Sequence, residues 1–212
     1  MRLIIFGAGE QAELCHHYFT RYSDYTVEGF VIDAAYRTKP EFLGLLVLTP
    51  QEALETWPPD SHDMFVTIGY SDMNRHRHSK CEEMRRAGYR LTSFIHPTAI
   101  ADCDEMGDNC LITENVVLSP KTKLGNGIFV RPNTYIGHHT EVADYVYIGP
   151  GVLVGGNCAL GAFTYLGIGA VLRDAISIAE GTQIGMGSVV TKSIDDAGTY
   201  LGVPAKRIGD TP

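Results

Sequence analysis

The chain has 212 residues, 44% hydrophobic and 20% charged, a length and mixture that suit one sizeable soluble domain or two small ones with a real core. Its formal charge of −8 argues against nucleic acid or an anionic membrane surface as the main partner, because both recruit clustered Lys and Arg. The five cysteines (Cys15, Cys81, Cys103, Cys110, Cys158) are odd in number and lack CxxC spacing, which speaks against a disulfide framework and a zinc ribbon and for a reducing cytoplasm; neither a signal-peptide core nor a run near the roughly 20 apolar residues of a membrane helix is visible.

Residues 1 to 95 alternate strand and helix patterns. RLIIF predicts a buried strand, GAGEQA a strand-to-helix turn, and AELCHHYFTRY a helix with Leu14, Tyr18 and Phe19 on one face. TVEGFVID predicts a second strand ending at Asp33. Thr49 and Pro50 form an N-cap and first-turn pair for QEALETW. DMFVTIGYS is a third strand, MNRHRHSKCEEMRRAG a polar, solvated helix stopped by Gly88, and YRLTSFI a further strand. This order predicts a small parallel α/β unit. Gly7-x-Gly9-x-x-Ala12 with Asp33 downstream imitates a dinucleotide fingerprint, but a second mononucleotide-binding half is missing and Glu10 lies where a pyrophosphate belongs. A half-size site for a nucleotide or nucleotide-sugar at the carboxyl ends of the strands fits better, with Gly7, Gly9, Asp33, Gly69, Tyr70, Asn74 and Arg75 as candidates; glycines serving only tight turns are the structural alternative.

The second half repeats. Stepping by six from Ile100 gives Met106, Ile112, Leu118, Leu124, Val130, Ile136, Val142, Ile148, Val154, Leu160, Leu166, Leu172, Ile178, Ile184 and Val190, all aliphatic or Met. Such a run arises by chance with a probability on the order of 10⁻¹⁰ at this composition. The position four residues further on is small or β-branched except at Asp104, and the one directly after is usually Gly or small. No helix uses a period of six, so the pattern predicts a solenoid of short parallel strands, with aliphatic and β-branched side chains inside and Gly or small residues at the corners.

On this repeat, residues 100 to about 192 resemble the hexapeptide-repeat acyltransferases, which implies a left-handed parallel β-helix with three hexapeptides per coil and a homotrimer with active sites between neighbouring prisms. GAGEQA, VID (31–33), IGYSDMNR (68–75), FIHPTA (94–99), IGHH (136–139), GPGVLVGGN (149–157), IGMGSVVTK (184–192) and GVPAK (202–206) widen the likeness to nearly the whole chain. They resemble the sialic acid O-acetyltransferase and UDP-4-amino-sugar N-acetyltransferase group of bacterial glycan biosynthesis. The expectation is therefore a small Rossmann-like nucleotide-sugar-binding domain over residues 1–95 and a left-handed β-helix binding acetyl-CoA over residues 96–212.

The resemblance implies that His138 is the general base and that Gly156 donates the oxyanion N–H. It also places the cofactor near Tyr147, Gly155, Gly156, Lys192 and Lys206, Tyr147 standing where some relatives carry a histidine. Imidazole suits the first role because it titrates near neutrality, and a preorganised N–H suits the second because the thioester oxygen becomes negative. His139 belongs to the same catalytic set, but many relatives carry an acid there to orient the base, and its replacement leaves Glu141, Asp144 or a neighbour's carboxylate as the orienter of His138. A metal is not expected, since a prism zinc site needs three histidines from the coils and only His138 and His139 follow residue 96. The expected activity is N-acetylation of a nucleotide-linked amino-sugar; sugar O-acetylation, a non-catalytic trimeric scaffold and a nicotinamide enzyme built on GAGEQA are the alternatives.

Overall fold

The structure, a computed structural model, describes residues 1–211. Two units emerge. The first comprises Met1–Gly69 and His76–Ser93, the second Tyr70–Arg75 and the chain from Phe94 onward.

In the first unit the elements follow as β1 (Arg2–Phe6), α1 (Glu10–Tyr22), β2 (Thr26–Val31), β3 (Glu41–Phe42), β4 (Leu45–Leu48), α2 (Pro50–Thr56), β5 (Asp63–Val66), α3 (Arg75–Arg86) and β6 (Arg90–Leu91). They form one sheet in the order β3-β4-β2-β1-β5-β6, parallel except for the β3–β4 hairpin. Leu3, Ile4, Ile5, Phe30, Phe65 and Val66 are fully buried, as continuous apolar runs covered on both faces must be. The hairpin was not apparent in the sequence; its two-residue turn uses Leu43 at φ 52° and Gly44 at φ 77°, the positive values that tight hairpins require. Thr49 caps α2 reciprocally, its hydroxyl accepting from the Glu52 N–H at 3.4 Å while the Glu52 carboxylate accepts from the Thr49 N–H at 2.7 Å. Thr49→Ala is expected to destabilise the protein by about 1 kcal/mol, read as a lower urea midpoint at unchanged slope.

α3 is not simply a solvated helix. Arg77 is completely buried, and its guanidinium donates to the carbonyls of Ile68 (3.1 Å) and Gly69 (2.8 Å), tying the helix to the turn after β5. The expected strand YRLTSFI is divided: Arg90–Leu91 closes the sheet of the first unit, whereas Phe94–Ile95 pairs with Leu111–Ile112 as the first rung of the second.

The second unit is a left-handed parallel β-helix of two-residue strands stacked in three sheets. Partners lie eighteen residues apart along most of it, as in Leu118↔Ile136↔Val154↔Leu172↔Val190, so each coil holds three hexapeptides. From Ile112 to Val190 every sixth residue is buried in one continuous core, with Met106 packed against its end. Ile100 departs from this pattern. The first coil is one residue short, pairing Ala101 with Leu118, so Ala101 takes the inward place and Ile100 is 55% exposed. Inward threonines donate to corner carbonyls, Thr134 to Gly149 and Thr140 to Gly155, each at 3.1 Å, whereas the buried Thr182 hydroxyl has no hydrogen-bond partner among the described residues.

The corner chemistry also differs from the sequence expectation. The glycine after each aliphatic residue does not supply the left-handed turn; it clears space for the next coil, for an ideal Cβ on Gly137 falls 2.5 Å from the Gly156 nitrogen and one on Gly161 falls 2.4 Å from the Glu180 nitrogen. Positive φ instead belongs to the residue two places later, including Asn133 (60°), His139 (57°), Tyr145 (57°), Asn157 (58°) and Phe163 (58°). These backbones turn their N–H groups to the preceding coil, as Asn157 does to the His138 carbonyl at 2.8 Å, which offsets the steric cost of about 1–2 kcal/mol per left-handed residue. Among the described residues no helix is long and apolar enough to cross a membrane.

Candidate active site

The eighteen-residue register stacks His138, Gly156, Asp174 and Lys192 on one edge of the prism, each two places after an inward aliphatic residue. Adjacent coils are separated by about 4.8 Å, so this edge spans about 14 Å from His138 to Lys192. His138 and His139 are both exposed. The His138 ring lies directly over Gly156: an ideal Cβ on that glycine falls 2.9 Å from Nε2 and 2.8 Å from Cε1. Only a glycine admits the imidazole there.

Around Gly156 the coil-to-coil ladder runs through Gly155 N–H to the Leu172 carbonyl (3.0 Å) and Asn157 N–H to the His138 carbonyl (2.8 Å). The Gly156 N–H takes no part in that ladder. It is therefore a backbone donor beside a histidine, which suits stabilisation of a developing oxyanion next to a base. Gly155 packs against the following coil, where an ideal Cβ falls 2.4 Å from the Asp174 nitrogen. Lys192 is exposed at the far end of the edge. Lys206 is exposed at the start of the strand Lys206–Gly209, which pairs antiparallel with Thr199–Leu201.

Tyr147 stands elsewhere. Its strand belongs to a different sheet from that of His138, and its ring stacks on Tyr165 (5.2 Å between centroids, 7° between planes) while Tyr70 meets both at 5.2 Å. Burial pushes the Tyr165 phenol above its ordinary range, with the two neighbouring tyrosines adding to the effect. Beside this stack the Arg75 guanidinium sits 4.4 Å over the Phe163 ring, and Phe163 stacks on Tyr145. Tyr70 and Arg75 thus belong with the prism, together with Asn74, which is fully buried at φ 67° with neither amide atom hydrogen-bonded. The sequence placed these three among the strand-edge candidates; by contacts they group with the second unit, whereas Gly7 and Asp33 group with the first.

At the carboxyl ends of β1, β2 and β5 the first unit has a pocket of about 380 Å³ lined by Gly7, Asp33, Phe6, Tyr36, His76 and Lys80, among others. Gly9 is the N-cap of α1, and Gly69 serves as the carbonyl acceptor for Arg77; neither lines the pocket. Lys80 donates to Asp33 (2.8 Å) and Glu83 (2.6 Å) and lies 5.0 Å from the centre of the Phe6 ring. Burial works against the Lys80 charge, but the two carboxylates outweigh it and hold the ammonium above its ordinary range. His76 and Lys80 were missed as site residues because the sequence treats α3 as solvent-facing, although their spacing of four puts them on one helix face.

No curated protein matches the chain in sequence. The bacterial transferase hexapeptide model (six repeats) matches residues 121–156, the segment holding both histidines and the Gly155–Gly156 pair. A perosamine N-acetyltransferase from Caulobacter crescentus, solved as a histidine-to-asparagine mutant in complex with CoA and GDP-perosamine, is 25% identical, with a TM-score of 0.88 over 99% of this chain and 98% of its own. The acetyltransferase domain of PglB from Neisseria gonorrhoeae FA1090, in complex with acetyl coenzyme A, is also 25% identical, with a TM-score of 0.86 over 98% of each chain. The chain is therefore similar to hexapeptide-repeat acetyltransferases, in sequence over residues 121–156 and in fold over nearly its whole length. WeeI from Acinetobacter baumannii AYE shares the fold of this acetyltransferase at 22% identity, with a TM-score of 0.82 over 98% of this chain and 100% of its own.

Proposed function

We propose that this acetyltransferase transfers the acetyl group of acetyl-CoA to the amino group of a nucleotide-linked sugar in bacterial glycan biosynthesis. The observation that carries the reading is the prism edge on which His138 Nε2 lies against Gly156, beside a backbone N–H outside the coil ladder. His138 Nε2 takes the proton from the attacking amine as the C–N bond forms and passes it to the CoA sulfur as the C–S bond breaks, a contribution of about 10²- to 10⁴-fold to the rate. The Gly156 N–H donates to the carbonyl oxygen as it becomes negative. Gly155 keeps the backbone accessible, and Lys192 with Lys206 meets the phosphates of the CoA moiety. The likeness to an enzyme whose structure contains both CoA and GDP-perosamine supports this pairing of substrates.

The nucleotide-sugar enters the pocket of the first unit, where Gly7 lets the backbone approach and Asp33 accepts from hydroxyl or ring N–H groups, with Lys80 and His76 at hand for phosphate oxygens. Asp33→Asn is expected to raise KM for the sugar nucleotide by about 10- to 100-fold with KM for acetyl-CoA unchanged, the signature of a lost charged hydrogen bond in ground-state binding. The protein works in the cytoplasm as a homotrimer, with the His138 edge facing a neighbouring prism. Light scattering measures the trimer.

The deciding experiment follows thiol release from acetyl-CoA against UDP-, dTDP- and GDP-linked 3-amino and 4-amino sugars. Release with one amino-sugar nucleotide establishes N-acetylation and names the acceptor. Release only with hydroxyl acceptors makes the enzyme an O-acetyltransferase, and no release with either class leaves a trimeric scaffold.

A further inference from the structure

The second histidine has its own role. His138 Nδ1 and His139 Nδ1 lie 3.1 Å apart, with the rings at 88° and their centroids separated by 5.2 Å. A contact of this length between two imidazole nitrogens needs one N–H and one lone pair. Among the described residues neither ring has another hydrogen-bond partner. Of the charged groups nearest along the chain, Lys121 pairs with Asp104 at 3.1 Å and Asp144 accepts from the Asn126 N–H at 2.7 Å, while Glu141, whose strand neighbour Lys123 pairs with Glu105, and Asp174 make no hydrogen bond to either ring among the described residues. Among the described residues no carboxylate hydrogen-bonds to either ring.

We propose that His139 is the positioning residue for His138, accepting its Nδ1–H and so keeping the Nε2 lone pair bare on the side that faces Gly156. The proposal rests on His138 being the base. The backbone makes the arrangement possible, since successive side chains of an extended chain point to opposite sides, whereas His139 at φ 57° breaks the alternation and lets both rings leave the corner together. Asn, Asp and His are the side chains that tolerate this conformation best.

The test is nitrogen NMR of the full-length protein labelled with ¹⁵N-histidine, which distinguishes protonated from bare imidazole nitrogens without any substrate. At alkaline pH wild-type His138 is expected as the Nδ1–H form. His139→Ala shifts its tautomer ratio about tenfold towards Nε2–H, as loss of one hydrogen bond of ordinary strength requires. His139→Asn, whose side-chain oxygen accepts a hydrogen bond, restores the Nδ1–H form. Ala175 already holds φ 54° at the equivalent place of a later corner, so the alanine variant is compatible with the fold. Wild-type His138 as Nε2–H, or a tautomer ratio that His139→Ala does not move, overturns the proposal. Full turnover by a His138 variant instead overturns the identity of the base and leaves the tautomer result standing, so the two failures are separable.

Discussion

His138→Ala is expected to lower kcat by about 10²- to 10⁴-fold, the usual contribution of a positioned general base, with acetyl-CoA affinity within a few-fold of wild type. The split follows from the geometry. His138 projects from the corner beside Gly156 and supports no other part of the fold, because its backbone carbonyl, which any residue supplies, makes the ladder bond to Asn157. Stability should therefore hardly change. Thiol release measures turnover and calorimetry measures acetyl-CoA binding. A variant with near-normal kcat would falsify the assignment.

The second large effect separates two neighbouring glycines that look alike in sequence. On Gly137 an added methyl meets backbone on the next coil, 2.5 Å from the Gly156 nitrogen and 2.6 Å from the Gly155 carbonyl carbon. Neither atom can yield without spreading the coils, so Gly137→Ala is expected to destabilise the prism by about 1–3 kcal/mol or more, as overpacking does. On Gly156 the atoms the methyl meets first belong to the His138 ring, 2.8 to 3.2 Å away, and that ring can rotate away. Gly156→Ala should therefore cost about 10²-fold in kcat through a misplaced base, with a much smaller drop in Tm than Gly137→Ala. Equal losses of Tm in the two variants, or a fully active Gly156→Ala, would contradict this division.

The two halves of the molecule were unequally legible. Inward side chains recur every six residues from Met106 to Val190, and a single period states at once which residues are buried and that the strands are parallel. Even there the ends escaped: Ile100 keeps the phase in sequence yet faces solvent, because a coil one residue short is visible only when its register against Leu118 is known. The role of the corner glycines was misread for a related reason. Composition shows that a residue is small, but not whether φ or a neighbouring coil demands it; here the coil demands the glycine directly after the aliphatic residue, while positive φ falls two places later, on Asn133, His139 and Tyr145 but also on glycines such as Gly151 and Gly169.

The site divides along the same line. His138, His139, Gly155 and Gly156 sit inside a rigid repeat whose eighteen-residue coil converts sequence spacing directly into distance, so their assembly on one edge follows from counting. Gly7 and Asp33 were likewise recognisable at the ends of strands. Lys80 and His76, by contrast, reach the same pocket from a helix more than forty residues downstream, and only the packing of that helix on the sheet brings them to Asp33. Tyr70 and Arg75 went the other way, captured by the aromatic stacks at Tyr147 and Phe163. Local periodicity determines which side chains turn inward, because backbone geometry imposes it residue by residue. Which distant residues share a pocket, and which nitrogen of His138 faces Gly156, depends on contacts that exist only after the elements have packed.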